Sequence, residues 1–75
     1  MLLPDNIQPE ASIYYGGALV LAELRRKNNQ RIIDVYYNIN LSHELSYPTL
    51  ILCLDWLYLL DAVIVKASGD IELCL

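Results

Sequence analysis

Between residues 13 and 24 the apolar positions Ile13, Gly17, Val20, Leu21 and Leu24 recur at three- and four-residue intervals. That spacing predicts an amphipathic helix running from Ser12, a side chain suited to an N-cap, to about Lys27. Gly16-Gly17 interrupts its first half. Glycine costs ~1 kcal/mol relative to alanine in a helix interior, so the pair marks either close helix packing or a late helix start. Asn28-Asn29 ends the helix, and residues 30–33 read as a short extended bridge. A second stripe, Ile32, Val35, Tyr36 and Ile39, predicts a helix from about Ile32 to Leu41.

The polar turn Ser42-His43-Glu44 leads to Ser46, an N-cap followed by Pro48 and Thr49 in a first turn where proline is tolerated. A third helix over residues 47–60 follows. At about 100° per residue, Leu50, Cys53, Leu54, Leu57 and Leu60 fall on one side, which is assigned to the core. The opposite side carries Ile51, Leu52, Tyr58 and Leu59 around Asp55, with Trp56 at the boundary. A helix apolar all round is covered on both sides. Its cover is either the rest of this chain or a partner, and a fold this short has few segments left to supply it.

After Asp61 the period changes. Val63 and Val65, then Ile71, Leu73 and Leu75, alternate as in strands, and residues 67–70 supply a Gly-containing turn. The expected fold is therefore α+β: a small winged-helix-like domain over residues 12–75, three helices followed by a C-terminal β-hairpin wing. Residues 1–11, with Pro4, Pro9, Asp5, Asn6 and Glu10, read as an extended N-terminal arm whose Leu2 and Leu3 are candidate contacts.

Composition sharpens this picture. A chain of 75 residues holds one domain and buries only about 60% of its unfolded surface. Yet hydrophobic residues make up 56% of it, and its seven aromatics are six Tyr and one Trp, types enriched at interfaces. The net charge of −4 argues against a general nucleic-acid binder. Four of the five cations, Arg25, Arg26, Lys27 and Arg31, nevertheless cluster; they are either solvated charges at a helix end or a contact for phosphate or an acidic partner. The third helix offers no Arg, Lys, Asn or Gln to base edges, so nucleic acid is expected only indirectly, through a complex.

No catalytic pattern emerges. His43 is the single histidine, and Asp55 and Asp61 diverge by about 120° on a helix. Cys53 and Cys74 form neither a disulfide framework nor a zinc spacing and are read as thiols in a reducing cytosol. With neither a signal peptide nor a membrane span in view, a cytoplasmic, non-enzymatic protein without cofactor or metal is expected.

The start Met1-Leu2-Leu3-Pro4, the middle Tyr14-Tyr15-Gly16-Gly17, and above all Ser46-Tyr47-Pro48-Thr49-Leu50 through Leu54-Asp55-Trp56-Leu57-Tyr58-Leu59-Leu60 resemble the short, class-six middle components of bacterial ABC-three component systems. The resemblance covers nearly the whole chain. It implies an adaptor between an SMC-like ABC ATPase, related also to double-strand-break-repair ATPases, and a larger effector subunit, in defence systems such as the Lamassu type. It carries no catalytic residues, and the ATP chemistry belongs to the partner. Ile51, Leu52, Asp55, Trp56, Tyr58, Leu59, Leu2 and Leu3 are then the candidate partner interface. The rivals are a small winged-helix DNA-binding regulator using residues 25–31 and the wing, and a homodimer burying the same helix face.

Overall fold

The structure, a computed structural model, describes residues 9–74, with side chains from residue 13 onward. Three helices are followed by antiparallel strands: α1 Pro9–Arg26, β1 Gln30–Arg31, α2 Ile32–Asn40, α3 Tyr47–Leu59, β2 Val63–Val65 and β3 Asp70–Leu73. The small α+β domain and its helices agree with the hydrophobic periodicity. The first two residues of the expected 30–33 bridge form a strand, β1, which pairs with β3 through Gln30↔Ile71 and Arg31↔Asp70 and gives the sheet order β1-β3-β2, while residues 32–33 already belong to α2.

One boundary differs from expectation. α1 begins at Pro9, not at Ser12, so residues 9–11 are helix instead of arm. Proline lacks only an N–H that the first helical turn leaves unpaired anyway, and its fixed φ suits that position. The remainder of the arm, with Leu2 and Leu3, lies outside the described residues, as does Leu75, which the alternation had assigned to the last strand.

The core gathers one stripe from each helix and the inner face of the sheet: Val20 and Leu24, Val35 and Ile39, Leu50, Leu54 and Leu57, then Val63 and Ile71. Leu45, in the loop before α3, joins them. That loop is pinned by Asn40, whose Oδ1 accepts from the Leu45 N–H (3.1 Å) while its Nδ2 donates to the Leu45 carbonyl (3.0 Å).

The glycine pair marks close packing. Both glycines are buried where α1 crosses α3. A Cβ at Gly16 would collide with the Cys53 Sγ, and one at Gly17 would stand 2.9 Å from the Trp56 ring.

Termini of α3 follow its sequence. Ser46 Oγ accepts from the Thr49 N–H (3.3 Å), as the N-cap expectation requires. At the other end Asp61 takes a left-handed φ of 60°. Its N–H donates to the Tyr58 carbonyl (3.0 Å) and that of Ala62 to Leu57 (2.9 Å), a Schellman closure. Leu60, assigned above to the core, is 56% exposed. The helical progression ends one residue earlier, and the reversal at Asp61 carries Leu60 off the buried stripe.

The hairpin closes over residues 67–69 with Lys66 N–H to Asp70 O and Gly69 N–H to Lys66 O, both 2.8 Å. Gly69 stands at φ 95°, the left-handed geometry that a three-residue loop needs at its last position.

Candidate partner-docking site

The 13 residues of α3, apolar on nearly every side, could not all face one core, and the helix divides accordingly. Leu50, Cys53, Leu54 and Leu57 are buried. On the far side Leu59 is 77% exposed, and Leu52 and Tyr58 are 56% exposed each. Asp55 stands exposed among them.

Two candidate residues are partly used inside the chain. Ile51 is half-buried and packs on the core margin. Trp56 lies over Gly17 and meets the Tyr14 ring edge-on, with centroids 5.1 Å apart. Tyr14 thereby extends the exposed surface of α3 onto α1. Leu52, Trp56 and Leu59 form one ridge at helical spacing, and Ile51, Asp55 and Tyr58 form the next.

Beside the second ridge lies a groove of about 390 Å³ lined by Ile32, Ile51, Leu54, Asp55, Tyr58 and Val65. Four of its six lining residues are aliphatic, and Asp55 and Tyr58 are the two with polar side-chain groups. The Asp55 carboxylate engages in no hydrogen bond or ion pair among the described residues.

The cationic cluster is placed around the α1–α2 connection. Arg26 pairs with Glu23, and Arg31 reaches Asp34 at 3.3 Å while lying in register with Asp70. Arg25 and Lys27 are exposed. Acidic side chains thus accompany two of the four cations, and the cluster sits on different elements from the α3 face.

Sequence reasoning missed two features. The first is a buried polar knot. Gln30, only 4% exposed, donates to the Lys27 carbonyl (2.7 Å) and to Glu23 Oε2 (2.9 Å), and its Oε1 accepts from Asn38 (3.0 Å). Asn38 also donates to Glu23. The bond to Arg26 is the main cause holding the Glu23 carboxyl below its ordinary range; burial opposes it, and Gln30 and Asn38 assist. No local pattern marks three polar residues on three elements as neighbours.

The second is an apolar ridge on α2, Ile33, Tyr37 and Leu41, all more than half exposed. Its four-residue spacing was readable, but it is interleaved with the buried stripe of the same helix.

His43 lies exposed in its turn, 6.4 Å from the Tyr15 ring centroid. Cys53 and Cys74 are not joined in a disulfide; burial pushes the Cys53 thiol pKa up, and Cys74 is exposed. Among the described residues no helix is long and apolar enough to cross a membrane.

No curated protein and no solved structure matches the chain. A family model does match, over residues 3–74 and so over both the α3 face and the hairpin. The chain belongs to the family of ABC-three component (ABC-3C) system Middle Component 6.

Proposed function

We propose that this middle component is a non-catalytic adaptor: a winged-helix-like module that bridges an SMC-like ABC ATPase and a larger effector subunit of a bacterial defence complex, of Lamassu or related type. Its candidate interface is Ile51, Leu52, Asp55, Trp56, Tyr58 and Leu59 on α3, with Leu2 and Leu3 preceding α1. The observation that carries the reading is the exposure of Leu52, Tyr58 and Leu59 on a helix that also supplies the core. Fully burying an exposed leucine is worth ~1.5–3 kcal/mol, and covering the part of these side chains still in water returns a share of that, which favours an assembled over a solitary state. A bridge needs two faces, and the ridge Ile33-Tyr37-Leu41 on α2 supports a second one.

Co-expression with the other two components of its own ABC-3C system, followed by size-exclusion chromatography, tests the proposal. The wild-type chain is expected to co-elute with them. Leu59→Lys is expected to weaken assembly by ~2 kcal/mol or more, about thirtyfold, with helicity unchanged in circular dichroism. A stable monomer that never co-elutes sinks the adaptor. The rival, a DNA-binding regulator, predicts that the isolated chain binds duplex with an affinity falling steeply with salt.

A further inference from the structure

The groove between α3 and the sheet specifies what enters it. Asp55 is the single charge on α3, and it stands at a groove otherwise walled by Ile32, Ile51, Leu54, Val65 and the Tyr58 ring. Any partner that covers this groove takes the carboxylate out of water. Removing an ion from water without a counter-charge is heavily unfavourable, so a purely apolar occupant would be disfavoured where it covers Asp55. A cationic one would not.

Asp55 and Tyr58 are three residues apart on a helix and so lie side by side. A planar guanidinium can accept both at once, forking its N–H groups onto the carboxylate and stacking on the ring face; an ammonium lacks the fork. We infer that the groove receives a segment of a partner polypeptide in which apolar side chains bracket one arginine, the arginine seated on Asp55 and Tyr58.

This deepens the adaptor reading and rests on it: it assigns the chemistry of the partner segment and makes Asp55 a specificity-determining residue. The sign of its effect is what separates the inference from simple apolar docking. Without an arginine opposite, Asp55 is only a desolvation penalty, and replacing it by a hydrophobic residue strengthens binding. With one, the same replacement strands the partner's charge in a groove that no longer answers it.

The affinity of the purified chain for the complex of the other two components, measured by calorimetry, decides the matter. Asp55→Leu and the isosteric Asp55→Asn are both expected to bind ~10-fold or more weaker than wild type. Their circular dichroism should match wild type, since the exposed Asp55 carboxylate makes no hydrogen bond or ion pair within the described residues. Unchanged or tighter binding by Asp55→Leu overturns the inference. In that event loss of binding by Leu59→Lys leaves docking through α3 standing, wild-type binding by Leu59→Lys moves the interface off α3, and only a wild-type chain that does not bind removes the adaptor.

Discussion

Gly16 and Gly17 let α1 approach α3 more closely than any side chain allows, and that approach fixes where Trp56 and Cys53 point. The sequence raised close packing as one of two readings, because a helix tolerates two adjacent glycines only for a reason. It did not name the neighbours, which depend on how two helices cross. Overpacking costs ~1–3 kcal/mol, more than the ~1 kcal/mol that alanine returns in helix propensity. Gly16→Ala is therefore expected to lower the urea midpoint. Because the added Cβ meets the Cys53 Sγ, Cys53→Ala in the same chain is expected to recover part of the loss; strictly additive destabilisation would contradict this contact. The thiols supply a second check. Cys74 should react with a thiol reagent in the native protein and Cys53 only after unfolding, and equal native reactivity would show that α1 does not close over Cys53.

The helices and hairpin were readable because apolar spacing repeats within each of them. The knot of Glu23, Gln30 and Asn38 was not, since it joins α1, β1 and α2 through side chains far apart in sequence. β1 was foreseen only as an extended bridge: two residues are too short for a period, and only pairing with β3 makes them a strand. Leu60 was misassigned because the helical stripe was extended through a C-cap whose reversal at Asp61 has no glycine to announce it. The knot has a pH signature. Glu23 has a folded-state pKa below its ordinary value of about 4.5, so its contribution is complete above that value and is lost as pH falls through the lowered folded pKa. The melting temperature is expected to drop on acidification below about pH 4.5, and Glu23→Gln should flatten that drop. An identical pH profile in the variant would place the acid sensitivity elsewhere.

A domain of this size has one layer of interior, and α3 is apolar enough for two. That excess was visible before any coordinates, as was the division of α3 into a core side and an outer side. The structure adds that the outer side remains uncovered by the described residues and that Trp56 and Ile51 are shared between core and surface. The cations of residues 25–31 were visible too, and Glu23 and Asp34 stand three residues from Arg26 and Arg31, but Asp70 comes beside Arg31 only through the β1–β3 pairing. Hydroxyl-radical footprinting of the chain, alone and assembled with the other two components, tests the outward face of α3 most directly. Labelling at Leu52, Tyr58 and Leu59 is predicted to fall sharply on assembly; labelling that stays as high in the complex as in the isolated chain would contradict the account.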